Sequence, residues 1–323
     1  MSGTAQNTAS MTCTTCDERC QRFGKHRNGL RRFRCKSCKK TYTEPHKPAL
    51  EGSYLPMQKI SLALRLLVEG NSIRSTERIT DLDRNTIMRL LVLAGEKCEK
   101  LMADKIRNVA VRDVECDELW SFVSKKQKHV RPEDDQNLGD CYVFVGIERN
   151  TKLVLNIAMG KRDQRTTDAF IEGLRHATSP RQKFQISTDG FGPYRSAITT
   201  TLHDRISGFA QLIKVYRSPQ DGEARYSPAE VASVEVVPVY GNPDPKRICT
   251  SIVERSNLST RTSLRRFTRL TCGFSKKWEN HWAAVALWFA YYNFCRIHKS
   301  LRVTPAMEAG ITDHVWSVEE LVR

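Results

Sequence analysis

Three acidic positions along the chain could do chemistry on an oxygen-rich substrate. Glu115, Asp117 and Glu118 sit in VECDELWSF, Asp189 ends the stretch ISTD before GFGPY, and Glu254 lies in IVERSNLSTR. Carboxylate oxygens suit Mg²⁺ or Mn²⁺ better than nitrogen or sulfur does. Two such cations about 4 Å apart can activate a water and stabilise a leaving oxygen, which is what cleaving a phosphodiester needs. With a DNA 3′-hydroxyl in place of water, the same centre would join strands. Strand alternation puts Glu115 on the face of Asp117, so Glu115, Asp117 and Glu118 compete for one ligand position.

A second set of residues suits a softer metal. Cys13-x2-Cys16 and Cys35-x2-Cys38 are two CxxC knuckles with the spacing of a four-thiolate zinc site. Bound Zn²⁺ would hold together a segment too small to build its own core. Cys20 has the wrong spacing and is left out. Between Arg19 and Lys40 there are ten Lys or Arg and no Asp or Glu. So basic a loop, with Arg31 and Arg32 in it, fits a phosphate backbone.

The elements that must carry these groups follow from periodicity. LPMQKISLALRLLVEG, from Leu55 to Gly70, has Ile60, Leu62, Ala63, Leu66 and Leu67 at helical spacing. SIRSTERITDL follows with Ser72 as its cap. DRNTIMRLLVLAG follows that, with Asp83 as cap and Ile87, Leu90, Leu91 and Leu93 apolar. A support helix and two helices around a tight turn form the helix-turn-helix plan. That plan would present Arg84, Asn85, Thr86 and Arg89 to a major groove. An ordinary helical bundle fits the same pattern.

Beyond residue 107 strands and helices alternate. Val109–Val123 reads as a strand, and Cys141–Gly160 as a hairpin turning near Arg149–Thr151. RTTDAFIEGLRHA reads as a helix capped by Thr167, with Ala169, Phe170, Ile171 and Leu174 on its buried face. FQISTD then forms a strand with Asp189 at its carboxyl end, a common active-site position in α/β sheets. Three strands in a meander and a crossover to a fourth begin the ribonuclease H-like plan. In that plan the first and fourth strands bring Asp117 and Asp189 side by side. Glu254 on a later helix would supply the third acid, with Arg261 two turns on along the same face. From Arg255 to Lys277 there are seven Lys or Arg and no acid, including Arg265 and Arg266.

The predicted organisation is a tail at 1–10, a zinc module at 11–48, a helix-turn-helix domain at 55–105 and an α/β catalytic domain at 107–323. The last contains a polar, proline-rich insertion at 218–246, expected as a loop or lid. The aromatic stripe Trp282, Trp288, Phe289 and Tyr292 reads as core, and His281 and His298 as structural or phosphate-contacting.

The 323 residues carry a net charge of +16, with 52 Lys and Arg against 36 Asp and Glu. Such an excess points to a polyanion partner, most simply double-stranded DNA. The longest apolar run, Ala283–Tyr292, is too short to cross a bilayer, and MSGTAQNTAS lacks the pattern of a signal peptide. These features predict a cytoplasmic, nucleoid-associated protein without a membrane partner. Eleven cysteines in a reducing compartment point to metal ligands or buried thiols.

Taken together, the knuckles, the helix-turn-helix, VECDELWSF, ISTDGFGPY and IVERSNLSTR resemble the transposases of the insertion sequence one family, which have a DDE catalytic domain. NHWAAVALWFAYYNFCRIHKSLRVTP also resembles the ends of DDE transposases and integrases. The resemblance runs from about residue 11 to 320. It implies a catalytic set of Asp117, Asp189 and Glu254 on Mg²⁺ or Mn²⁺, with Arg261 as the basic residue that follows the third acid. It also implies cutting at element ends, joining to target DNA, and a homo-oligomer that brings two ends together. In the best-known members a ribosomal frameshift joins the two halves; here they run in one frame. Two other readings stand beside it: a catalytically inert DNA-binding regulator derived from a transposase, and a simple metal-dependent nuclease.

Overall fold

The computed structural model describes residues 11–26, 29–44, 50, 53–216, 231–268 and 272–323. The predicted tail at 1–10 lies outside them. The chain divides into two compact units, Met1–Ile60 and Ser61–Arg323.

In the first unit, β1 (Gln21–Lys25), β2 (Arg31–Arg34) and β3 (Thr41–Thr43) form an antiparallel sheet in that order. Its small core is Cys13, Cys20, Phe33 and Cys35, with Tyr42 packed against them. That is too little apolar surface to stabilise a free domain, as the sequence implied.

Three helices follow: α1 (Met57–Val68), α2 (Ile73–Thr80) and α3 (Arg84–Lys105). α1 buries Ile60, Ala63, Leu64 and Val68, whereas Leu62, expected inside, is exposed. The predicted caps are present. Ser72 Oγ accepts from the Ser75 amide at 3.0 Å and Asp83 Oδ1 from the Asn85 amide at 2.8 Å. The α2–α3 turn needs a left-handed residue, and Asp81 provides it at φ 55°.

α3 is longer than its sequence pattern suggested and does not end at a domain boundary. It packs along α7 (Trp278–Phe294), near the other end of the chain. The two backbones approach at Gly95, where a Cβ would come within 2.4 Å of Ala283 Cα. A separate domain at 55–105 is therefore not what forms: residues 61–105 share one compact unit with the sheet.

That sheet has six strands. The meander is β4 (Asp113–Val123), β5 (Gly139–Glu148) and β6 (Val154–Gly160), all antiparallel, with the β5–β6 turn where the sequence placed it. α4 (Gln164–Ala177) crosses over to β7 (Phe184–Asp189), and α5 (Pro193–Thr201) leads to β8 (Ile206–Tyr216). β7 lies parallel to both β4 and β8. The cap of α4 is Asp163, whose Oδ1 accepts from the Thr166 amide at 2.8 Å. Thr167 is buried one turn inside and Ala169 is exposed, contrary to expectation.

β9 (Val231–Gly241) pairs antiparallel with β8 and closes the order β6-β5-β4-β7-β8-β9. The segment expected as a loop or lid at 218–246 thus contributes a strand over 231–241; residues 218–230 lie outside those described. A high content of β-branched valine (Val231, Val234, Val236, Val237, Val239) favours the extended chain despite the prolines.

α6 (Ser251–Ser263) packs on β4, and α7 buries Trp288, Phe289 and Tyr292, so most of the aromatic stripe is core. Two short helices, α8 (Pro305–Glu308) and α9 (Val318–Leu321), complete the chain. No described helix is long and apolar enough to cross a membrane.

Candidate metal centre

Parallel pairing of β4 with β7 runs from Asp113↔Gln185 to Cys116↔Thr188 and stops. Asp117 and Glu118 therefore lie just beyond the pairing, beside Asp189 at the end of β7. One oxygen from each of Asp117, Glu118 and Asp189 lies within 4.8 Å of the others. Neighbouring residues on a strand point to opposite faces. Asp117 and Glu118, adjacent on β4, nonetheless each bring an oxygen to Asp189.

The sequence expectation of Asp117 and Asp189 together is what forms. Glu254, expected as the third acid, stands outside the cluster. It sits in the first turn of α6, where Oε1 accepts from Lys214 Nζ at 2.5 Å and from the Thr250 hydroxyl at 2.7 Å. The residue of α6 that reaches the cluster is Asn257, one turn on. Its Nδ2 donates to Asp117 Oδ2 at 2.8 Å. Glu115 has a different task. Buried to 1% exposure, its Oε2 accepts from the Ile252 and Val253 amides at 2.8 and 3.0 Å. It thereby caps α6 from the strand and fixes the helix against β4.

The acids are strained electrostatically. Burial, then the nearby Asp189, pushes Asp117 up to about 6 and Glu118 up to about 7. Tyr194, buried on α5, turns its hydroxyl toward Glu118 and eases that shift. Neither this hydroxyl nor Glu118 Oε1 completes a hydrogen bond, and Asn257 Oδ1 is buried without one as well. Buried oxygens without donors, beside carboxylates that repel each other, fit a hard divalent cation. The turn after Asp189 is held by Gln211 on β8, whose Nε2 donates to the Asp189 and Phe191 carbonyls at 2.9 and 3.1 Å.

The cysteines meet the sequence expectation in position. Sulfurs of Cys13, Cys16, Cys35 and Cys38 all lie within 4.8 Å of one another, Cys13 and Cys38 at 3.5 Å. Sulfurs on a tetrahedral zinc with Zn–S of about 2.3 Å sit about 3.8 Å apart, so the set fits that ion. Tyr42 Oη lies 3.1 Å from Cys13 Sγ and holds that thiol down to about 6, while the contact with Cys38 drives Cys16 up to about 12. Four thiolates this close need a cation. Cys20 is buried beside them but is not one of the four.

The basic residues divide. Arg31 is exposed; Arg32 is half-buried, its guanidinium 5.6 Å from the Phe23 ring centre. Arg84, Asn85 and Arg89 are exposed at the start of α3, with Thr86 half-buried. Arg84 and Arg265, with Arg74 and Lys276, line a cavity of about 760 Å³ between the α1–α3 helices and residues 264–266 and 272–276. Arg261 is half-buried in the last turn of α6. Arg266 lines the same cavity but spends a donor inward, on Ser275 Oγ at 2.6 Å. Ser275 and Ser121 flank the buried His281, at 2.8 Å from Nδ1 and 2.9 Å from Nε2. Burial holds His281 down to about 3, so it is a neutral structural link between α7 and β4. His298 is half-buried against Tyr292, with ring centres 4.6 Å apart.

Sequence patterns gave Glu118 only as a competitor of Asp117, and missed Asn257 and Arg162, which bridges Glu118 and Asp189. Only the acidic run ECDE carried a signal for Glu118.

No protein-family model matches the sequence, and no curated protein does. Among solved structures, the strand transfer complex of Mos1 is 13% identical, with a TM-score of 0.20, over 51% of this chain and 58% of that one. A piggyBac transposase synaptic complex with hairpin DNA is 11% identical, with a TM-score of 0.37, over 86% and 72%. Argonaute from Aquifex aeolicus is 9% identical, with a TM-score of 0.27, over 46% and 25%. This chain therefore spans a quarter of the length of that Argonaute and under three fifths of Mos1. These likenesses are remote, and the chemistry below rests on the residues themselves.

Proposed function

We propose that this chain is a metal-dependent DNA transposase of ribonuclease H-like fold, resembling the insertion sequence one family. The observation that carries the reading is the meeting of Asp117, Glu118 and Asp189 at the end of β7, with Asn257 bonded to Asp117. Strand order supports the fold, because a meander and crossover put the first and fourth strands side by side.

Asp117, Glu118 and Asp189 would hold Mg²⁺ or Mn²⁺, which when bound would activate the attacking oxygen and stabilise the leaving one. Asn257 orients Asp117, Glu115 holds α6 in place, and Gln211 fixes the turn that carries Asp189. Glu254, held by Lys214, is one turn from Asn257, close enough to bias the charge of Asp117. It is the reserve acid of the set, with Arg261 in the last turn of the same helix.

Zn²⁺ on Cys13, Cys16, Cys35 and Cys38 would hold the basic strands that carry Arg31 and Arg32. Arg84, Asn85, Thr86 and Arg89 on the helix-turn-helix would read the element end, and Arg265 would grip its phosphates. A homo-oligomer would pair two ends, in the cytoplasm at the nucleoid. An inert regulator would have no use for so tight a group of acids, and a simple nuclease none for two further DNA-binding modules.

The test is incubation of the purified chain with Mg²⁺ and DNA taken from the two borders of its gene. Strand cleavage and joining that vanish in Asp189→Asn, with DNA binding retained, support the reading. Cleavage that survives in Asp189→Asn refutes the metal centre.

A further inference from the structure

Arg162 sits where a cation would sit. Its Nε donates to Glu118 Oε2 at 3.1 Å and its Nη2 to Asp189 Oδ2 at 3.2 Å, so one guanidinium spans two of the three acids. It stacks on the Phe191 ring at 4.1 Å from the centre. Phe191 is itself fixed, since its amide donates to Asp189 Oδ1 at 3.0 Å and its ring meets Tyr194 edge-on. The backbone on either side is anchored too. Lys161 donates to the Leu138 and Asp140 carbonyls, and Asp163 caps α4.

The oxygens in use are therefore Asp117 Oδ2, taken by Asn257, Glu118 Oε2 and Asp189 Oδ2, taken by Arg162, and Asp189 Oδ1, taken by the Phe191 amide. Glu118 Oε1 stays bare in a side chain only 3% exposed. A divalent ion bridging these carboxylates must either displace Arg162 from the oxygens it holds or bind the bare ones beside its positive charge. A guanidinium has five N–H donors, and two are spent here, so three are left for another anion. Stacking on Phe191 keeps it at the centre when the acids are lost.

We propose that Arg162 is a built-in counter-ion of the acidic centre. It occupies Glu118 and Asp189 until a divalent cation takes them, and its guanidinium then clamps the phosphate of the bound DNA at that cation. The inference rests on the metal-centre reading above and adds a residue that nothing in the acidic motifs indicates. Removing a side chain that both opposes the metal and grips the substrate should move two measurements in opposite directions. A merely structural residue would not do that.

The experiment is Mn²⁺ titration of the full chain, followed by the electron paramagnetic resonance signal of free Mn²⁺, in wild type, Arg162→Gln and Arg162→Lys. Arg162→Gln should bind Mn²⁺ about tenfold more tightly, the scale of losing one partly exposed opposing charge. Arg162→Lys, which keeps the charge without the fork, should fall between. At saturating Mn²⁺, cleavage of end DNA by Arg162→Gln should be slower by roughly tenfold or more, as for loss of a charged phosphate contact. Equal or weaker Mn²⁺ binding by Arg162→Gln, with wild type binding normally, overturns the counter-ion role alone. Undiminished cleavage at saturation overturns the clamp. If no variant binds Mn²⁺, the metal-centre reading falls with it.

Discussion

Twenty-five positions separate Cys13 from Cys38, the ends of the sulfur cluster, whereas 140 separate Asp117 from Asn257 in the acidic centre. The sulfurs are brought together by two local turns and three short strands, and metal would complete what a small core cannot. The oxygens are brought together by a six-stranded sheet that is stable through its own apolar interior. One cluster would hold its fold together, and the other is held by its fold. Loss of metal should therefore unfold the first and merely silence the second.

The sharpest test of that contrast is paired removal. Asp117→Asn or Asp189→Asn should lower strand cleavage by roughly a thousandfold or more, since each removes a ligand of the reacting centre. The thermal transition of Ser61–Arg323 should stay within a few degrees of wild type or rise, because a repelling charge is gone. A large fall in melting temperature would mean the acids are structural. Cys35→Ser, or a strong chelator, should disorder β1, β2 and β3, because zinc binding in such modules is worth about 10–16 kcal/mol of folding free energy. Amide spectra should lose the resonances of those strands and keep those of the six-stranded sheet. Survival of both sets would show that the sulfurs need no metal.

A smaller effect separates packing from chemistry inside the larger unit. His281→Ala removes one hydrogen bond from each of Ser121 and Ser275, which keep the Cys141 carbonyl and Arg266 as partners, and opens a cavity. It should cost about 2–4 kcal/mol by denaturant unfolding, with Mn²⁺ affinity unchanged. Glu115→Gln keeps the shape of the α6 cap but weakens its charge at the helix N-terminus. Cleavage should fall by about 10-fold, in the range of outer-shell partners of metal ligands, and an unchanged rate would remove Glu115 from the positioning of Asn257.

The smallest effect is in pH. Burial holds Asp117 at about 6 and Glu118 at about 7, above the ordinary carboxyl value of about 4. Without metal the folded chain keeps protons that the unfolded chain has released. This stability is full below about pH 4 and is lost as pH rises through 6 to 7. The melting temperature of the metal-free chain should decline across that window by a few degrees, and Mg²⁺ should flatten the decline. The chelated sulfur module would show no matching trend.

The same contrast explains what could be read from the sequence. Cys13, Cys16, Cys35 and Cys38 were legible because their spacing is itself the geometry. Ser72 and Asp83 were legible because a helix cap is local. Asp117 and Asp189 came from strand pattern and a glycine break. Glu118 was obscured by the alternation rule, which sends it to the face opposite Asp117. Glu254 has the right element and turn, but Lys214, forty positions away in sequence, decides where its carboxylate goes. Arg162 lies in a connection with no periodicity at all. β9 was hidden because the prolines of 218–246 read as a loop, and only pairing with β8 makes 231–241 a strand. The helical segment looked separable because nothing in its own residues announces α7 as its partner.

The close approach of Gly95 to Ala283 gives that last point a mechanical meaning. α3 extends about 33 Å at 1.5 Å per residue. Its first two turns carry Arg84 and Arg89, while its midpoint is packed tightly on α7 at Ala283. A shaft gripped in the middle cannot swivel about a hinge. In a DNA complex, the interval between the base pairs read by the tip and the phosphodiester cut at Asp189 would be a fixed ruler measured in base pairs. Lengthening the DNA between them by half a helical turn should place the cut on the wrong side of the duplex, whereas a tethered reader would simply follow.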